Sequence, residues 1–252
     1  MPSESSLSKV LTMAKLSSVL AIARIYSAWF MKSRLWIVNQ LVAPMSIYVI
    51  FLLVVGRGFE VNALIGGLVA LAWNAGVNAL SQQVFSYRFY YRLLDMFIAS
   101  PVTPAVFTAG IALGSLLNAL LPAVPVFTLL AIYKGFGVAS LIPVFLASWI
   151  LGSVTGFFMS CKIRSPARFY ALANLLYDLL TILPPVYYPA RVIPGIGMYI
   201  ALLIPTAALS DLARIALSIE EPMNMLYDLT IITVYAAIML TLTLRYAEWR
   251  EQ

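Results

Sequence analysis

Histidine is absent from this chain, and cysteine occurs only once, as Cys161. The lack of histidine removes the commonest metal ligand and the commonest proton shuttle, and one cysteine cannot form an internal disulfide. Charge is scarce as well, at 10% of residues against about 25% in soluble domains. Because 62% of the residues are hydrophobic and the mean hydropathy is +0.94, the composition predicts a membrane protein.

Long apolar runs carry this prediction further, since a spanning helix needs about 20 mostly apolar residues. Six stretches qualify, at about 35–55, 61–85, 106–133, 138–161, 169–188 and 225–244. Helices are expected because open sheets cannot span lipid and the runs lack the alternation of a barrel. The predicted fold is therefore all-α and polytopic, with a six-span permease domain over residues 35–252. No cleavable signal peptide is expected, because no apolar core precedes a small-residue cleavage site.

Positive charge indicates the orientation of these spans. With six spans both termini lie on one side, and that side holds all but four of the 16 basic residues. The four exceptions are Arg57, Lys134, Arg191 and Arg214. Both termini are therefore expected in the cytoplasm of a multi-pass cell-membrane protein. The net charge of +6 reflects this topology, and because it is not clustered on one domain no nucleic-acid partner is expected.

The first 34 residues differ from the spans. Apolar residues recur over 7–31 with Lys9, Lys15 and Arg24 between them, and the apolar core between Lys15 and Arg24 is too short to span. This pattern predicts an interfacial helix with its basic side chains toward anionic lipid, within a cytoplasmic segment 1–34. A poorly ordered tail is the alternative.

Prolines interrupt the chain after the fifth span. Pro184, Pro185, Pro189 and Pro194 end that helix, and Pro205 breaks a short apolar segment that follows. A seventh full span would move the C-terminal arginines outside. A re-entrant pair of half-helices, over about 189–218 and entering from the outer side, is therefore predicted. Irregular backbone at that depth must be buried in protein or face water.

The connection between the second and third spans has an ordered pattern. Asp95 is followed by an apolar stretch, by Ala99, Ser100 and Pro101, and later by Gly110. The outer segment has Tyr188–Pro189, Pro194 and Pro205, with Asp211 and Arg214 six and nine residues beyond Pro205. In this order among six spans, the two patterns resemble the permeases of type-2 ABC exporters, the superfamily of drug-resistance, polysaccharide-export and lipid-export permeases. Ile204 departs from that pattern, which has asparagine there.

The resemblance implies a transmembrane permease subunit that exports an amphipathic or polymeric substrate. Two copies, or one copy and a paralogue, would form the pathway and dock an ABC ATPase with two nucleotide-binding domains. This chain has no phosphate-binding G-x-x-x-x-G-K-[ST] loop, so it is not expected to be an enzyme. No cofactor is expected here, and ATP and Mg²⁺ would bind the partner ATPase.

Site residues follow from the same comparison. A cytoplasmic coupling helix at about 88–100 would contact the ATPase, although a loop anchored in the headgroups explains its aromatic and arginine residues equally well. Its predicted contact residues are Arg88, Tyr91, Arg92, Asp95, Phe97 and Pro101. The predicted outer gate consists of Tyr188, Pro189, Pro194, Pro205, Asp211 and Arg214, where Asp211 and Arg214 are spaced to pair on one helical face.

Polar residues inside the spans are candidates for the pathway. They are Asn39, Gln40, Asn74, Asn78 and Asp178. The amides could instead bond helix to helix, which is the commoner role. Asp178 lies about midway along the fifth predicted span, where a charge costs about 2.5–3.5 kcal/mol. It is either a functional group, as a gate contact or a partner of Arg191 or Arg214, or a residue near the outer interface.

Two other classes are the alternatives. An ion-coupled secondary transporter would need a coupling site and usually two related halves, and the sequence has no internal repeat. A non-transporting membrane scaffold subunit is the second alternative. A membrane-embedded transferase is disfavoured because no two aspartates lie within one helical turn to hold Mg²⁺.

Overall fold

The computed structural model describes residues 4–32, 34–55, 59–89, 103–219 and 225–246, and every regular element within these ranges is helical. The all-α prediction is confirmed for this part of the chain. The α-helices are α1 (Glu4–Lys32), α2 (Arg34–Ile50), α3 (Glu60–Asn74), α4 (Ser81–Phe89), α5 (Pro104–Lys134), α6 (Ile142–Lys162), α7 (Pro166–Thr181), α8 (Ile196–Leu202), α9 (Pro205–Ala216) and α10 (Met225–Tyr246).

Helix α3 occupies the centre of the bundle. All of its residues are buried, and it packs against α2, α5, α6 and α9. A helix that is apolar around most of its circumference is expected to be enclosed by other helices. A π-helical segment, Ala75–Leu80, joins α3 to α4, so Glu60–Phe89 forms one helical stretch of 30 residues.

A short turn joins helix α5 to helix α6, and a few side chains connect the two helices. The chain turns through a 3₁₀ segment, Gly135–Leu141, which Gly135 begins with a φ of 60°. The Trp149 indole nitrogen donates a hydrogen bond of 2.9 Å to the Ser115 hydroxyl on the other helix. Nearer the turn, the rings of Phe127 and Phe145 lie 5.8 Å apart. The third and fourth predicted spans therefore meet through side chains, and their backbones are not closely packed along their length.

Among the described residues, three helical stretches are long and apolar enough to cross a membrane by length and composition: Glu60–Phe89, Val106–Lys162 and Met225–Arg245. A fourth results if the bent pair α8 and α9 counts as one span, and Val38–Val54 is a shorter apolar helix. The structure thus supports a membrane protein with three to four such helices. The six-span topology and the orientation of the termini stay predictions.

The prediction for the fifth span needs a correction. Helix α7 ends at Thr181, so residues 182–188 are not helical although the predicted span extended to 188. Two consecutive prolines, Pro184 and Pro185, cannot donate the backbone hydrogen bonds that would continue the helix. Asp178 consequently lies in the last turn of α7. The sequence analysis placed it about midway along the fifth span, which is therefore wrong.

The segment after α7 forms two short helices, as the sequence analysis predicted. Helices α8 and α9 are bent by 103° at the break before Pro205. Pro205 occupies the first turn of α9. A proline is tolerated there because backbone nitrogens in the first turn make no hydrogen bond within the helix. The entry of this pair from the outer side of a membrane stays a prediction.

Helix α1 packs against the first half of α5. Ile22, Ala23 and Tyr26 are buried, whereas Lys15 and Arg24 are exposed. A Cβ on Gly114 would lie 2.8 Å from the Tyr26 ring. The two helices can therefore approach this closely only because α5 has glycine there. The location of α1 among lipid headgroups stays a prediction.

Candidate functional site

The five pathway candidates line one cavity. It has a volume of about 370 Å³ and lies between α2, the α3–π segment and α7. Its polar lining residues are Asn39, Gln40, Asn74, Asn78, Asn174, Tyr177 and Asp178. Sequence analysis missed Asn174 and Tyr177. The position of Asn174 four residues before Asp178, on the same helical face, was the available signal.

Carboxamide side chains connect the walls of this polar cavity. The Asn74 amide nitrogen donates to the Gln40 side-chain oxygen at 2.7 Å, which links α3 to α2. The Asn78 nitrogen donates to the Asn174 oxygen at 3.0 Å, which links the π segment to α7, and Gln82 donates to the Asn78 oxygen. The amides therefore line a cavity and bond helix to helix at the same time, so the two interpretations of the sequence are compatible.

Asn74 retains an acceptor without a partner. Its residue is 9% exposed, and its buried side-chain oxygen has no hydrogen-bond partner among the described residues. A buried acceptor left in this state costs about 1–3 kcal/mol. Because this oxygen is enclosed by protein, it lies within the cavity wall and is not exposed to the space inside.

Asp178 gives the cavity a negative charge. Its carboxylate is exposed in the isolated chain, and it makes no hydrogen bond or ion pair within the described ranges. In particular, it pairs with neither Arg191 nor Arg214. The α7 C-terminus adds negative potential here, because the last carbonyls of a helix have no helical donors. No lysine or arginine lines the cavity in the described part of the chain.

The π segment that carries Asn78 depends on close helix packing. A Cβ on Gly152 of α6 would lie 2.8 Å from the Trp73 carbonyl oxygen, and a Cβ on Gly156 would lie 3.0 Å from the Val77 Cα. The neighbouring atoms are backbone, so they cannot rotate away as a side chain would. Glycines on α6 therefore allow the backbone at 73–77 to lie against that helix. The sequence analysis did not identify this contact.

Arg214 is the centre of the predicted gate. Its side chain is fully buried, and Nε donates to the Asn62 side-chain oxygen at 3.0 Å. One terminal nitrogen donates to the carbonyl oxygens of Val186, at 2.7 Å, and Pro185, at 3.4 Å. Asp211 lies 3.8 Å from the other nitrogen, so the predicted pairing of Asp211 and Arg214 is present. The arginine thus supplies donors to a non-helical backbone.

The other gate candidates lie along the same segment. Pro189 is buried, Tyr188 is half-buried, and Pro194 is exposed before Gly195. A Cβ on Gly66 would lie 2.6 Å from the Val186 carbonyl oxygen, so this oxygen is held between α3 and the Arg214 guanidinium. The structure brings the gate segment into contact with α3. Asn62 is the important contact that the sequence analysis missed.

The predicted coupling residues lie mostly outside the described residues. These are Tyr91, Arg92, Asp95, Phe97 and Pro101. Arg88 is described near the end of α4, and its guanidinium donates to the Cys161 carbonyl oxygen at 2.9 Å. The start of the predicted coupling segment is therefore attached to the end of α6.

A second cavity, of about 510 Å³, lies between α5, α6 and α10. Its lining is mostly apolar and includes Ile111, Phe157 and Leu240. No group of three or more metal-ligating side chains occurs among the residues that the structure describes.

Comparison with known proteins adds no family: the chain matches no family model, no curated protein and no solved structure.

Proposed function

We propose that this chain is the transmembrane permease subunit of an ATP-driven ABC exporter. A second copy or a paralogue completes the pathway, and a separate ATPase subunit supplies the energy. The substrate is amphipathic or polymeric and leaves the cytoplasm. The polar cavity between α2, the α3–π segment and α7 is the observation that carries this proposal.

The cavity supports a pathway because polar side chains that face lipid are energetically unfavourable, so they are expected to face water or a partner protein. Asn39, Asn174 and Asp178 are exposed in the isolated chain, on helices otherwise rich in exposed apolar residues. A charge at bilayer depth costs about 2.5–3.5 kcal/mol on insertion scales, and such residues usually face water or a partner. A water-filled route, closed by a second permease, accounts for all three.

The buried arginine supports the proposed gate. Residues 182–188 are not helical, and Arg214 supplies donors to two of their carbonyl groups. Irregular backbone at membrane depth is tolerated where protein or water forms hydrogen bonds with its N–H and carbonyl groups. Arg214 therefore stabilises this irregular segment, and movement of α9 would release it.

The ATPase is the part of the proposal that rests on the resemblance of residues 88–101. Arg88 contacts the end of α6, so a force applied to the segment that follows α4 reaches α6 directly. Closure of the ATPase would then move α4 and α6 together and open the bent pair.

Cross-linking tests the proposal directly. We would replace Phe97 by cysteine in a Cys161→Ser background, add a photoactivatable thiol reagent, and identify captured proteins from native membranes by mass spectrometry. Phe136→Cys is the matched control, because Phe136 is fully exposed in the 3₁₀ segment that should face outward. We expect an ABC ATPase at position 97 and none at position 136.

Capture of only lipid or another copy of this chain at position 97 would reject ATPase coupling. An ion-coupled secondary transporter is then the leading candidate, because Asp178 offers a carboxylate inside a polar cavity. Uptake into ATP-free vesicles under an imposed proton or sodium gradient would distinguish it from a non-transporting scaffold.

A further inference from the structure

The polar cavity discriminates between kinds of charge. Asp178 is the only ionisable carboxylate in its described lining, and no basic side chain is present to neutralise it. The C-terminal end of α7 adds negative potential at the same place. A phosphate, sulfate or carboxylate would meet like charge here, whereas a cation would be attracted.

The hydrogen-bonding groups narrow the choice further. The ionised Asp178 carboxylate can only accept hydrogen bonds, and no donor from the described residues occupies it. This carboxylate therefore favours a ligand with N–H or O–H donors. Other cavity oxygens already accept bonds, since Gln40 and Asn174 receive donors from Asn74 and Asn78.

Cavity size limits what can enter. A volume of about 370 Å³ is near the lower end of the range for small-molecule sites, about 300–1,000 Å³. It holds a head group or a small organic ion, and the remainder of an amphipathic substrate would extend beyond it. The exposed faces of Asn39 and Asp178 leave an opening for that remainder.

We propose that the polar cavity binds an organic ammonium group, with Asp178 as its counter-ion. The cargo is then a cationic amine with an apolar or extended tail. This inference rests on the proposed function, because it names the substrate class of the same pathway.

A pair of matched probes tests the inference. We would place the full-length chain, with any co-purifying subunits, in lipid nanodiscs and titrate it with dansylcadaverine, which carries a primary ammonium group. The N-acetyl derivative is the neutral control, because it keeps the dye and the tail. Both probes can enter the apolar cavity of about 510 Å³, so the difference between them reports on the ammonium group.

We expect the wild-type chain to bind the ammonium probe at least about tenfold more tightly than the neutral probe, the range of a charge-assisted hydrogen bond. Asp178→Asn should remove this preference while leaving the neutral probe unaffected. The double variant Asn174→Asp/Asp178→Asn moves the carboxylate by one helical turn on the same wall, and it should restore part of the preference.

Equal affinity for the two probes, binding of neither, or a preference that survives Asp178→Asn would overturn the inference. Each result is independent of the ATPase. A chain that captures an ATPase at position 97 but lacks the preference remains an exporter of another cargo. A chain that shows the preference but captures no ATPase retains the amine site and loses the exporter assignment.

Discussion

Arg214 donates a hydrogen bond of 3.0 Å to the side-chain oxygen of Asn62, although 152 residues separate them in the chain. The contact joins α9 to the first turn of α3, which lies at the centre of the bundle. The same guanidinium binds two carbonyl groups of the irregular segment before α8. One side chain therefore holds together three parts of the proposed outer gate.

The single cysteine provides a way to measure the stability of these contacts. Cys161 is buried and is 8% exposed. A buried thiol reacts slowly, and unfolding exposes it to a thiol-specific fluorogenic dye. The midpoint temperature of dye labelling can therefore be compared between variants of the full-length chain in nanodiscs.

Arg214→Met should be strongly destabilising. The substitution leaves Asp211 buried without its partner and removes donors from two carbonyl groups, so we expect a loss of about 3–5 kcal/mol in the free energy of unfolding. The dye-labelling midpoint should fall accordingly. Adding Asp211→Asn should recover part of the loss, because the buried charge is then gone. A midpoint unchanged from wild type would mean that the arginine does not brace the gate.

Gly114→Ala should weaken the contact of α1 with α5. The added Cβ would lie 2.8 Å from the Tyr26 ring and 3.0 Å from the Ala23 carbonyl oxygen. Overpacking of this kind costs about 1–3 kcal/mol. Gly137→Ala is the matched control, because nothing lies within 4 Å of a Cβ there. The prediction is wrong if both variants label with the same midpoint.

Gly152→Ala should lower the free energy of unfolding at least as much as Gly114→Ala. Its Cβ would lie 2.8 Å from the Trp73 carbonyl oxygen, and backbone atoms yield less than the end of a side chain. Because the π segment that carries Asn78 packs on the same surface of α6, ammonium binding in the polar cavity should also decline. Dye labelling and probe titration check the two effects separately. Loss of stability with full probe affinity would show that the cavity does not depend on this contact.

Thr206→Val should loosen the bent pair. The Thr206 hydroxyl donates to the Leu180 carbonyl oxygen, which ties the start of α9 to the end of α7. Valine keeps the shape and removes the bond, so we expect a loss of about 1 kcal/mol, the usual net value of a hydrogen bond. Thr230→Val is the control, because that exposed hydroxyl bonds only to the Leu226 carbonyl one turn earlier. Equal dye-labelling midpoints for the two variants would show that the hydrogen bond from Thr206 to Leu180 does not stabilise the structure.

Much of the helical framework was predictable from the sequence, because hydropathy and proline positions act locally. Apolar runs gave the approximate extents of α3, α5, α6 and α10, and Pro205 marked the break between the two short helices. The end of the fifth span was wrong by seven residues, since the helix stops at Thr181 and not at 188. Apolar character continues past that point, and hydropathy alone does not distinguish helix from buried irregular backbone.

The sequence also identified which polar residues matter, because amides and a carboxylate are costly in apolar runs whatever the fold. Only the tertiary structure decided that they meet in one cavity, that Asn174 joins them, and that the buried Asn74 oxygen has no partner among the described residues. It also decided that Arg214 binds Asn62. These relationships depend on the rotation and spacing of helices far apart in the chain, which close packing sets and no local pattern encodes.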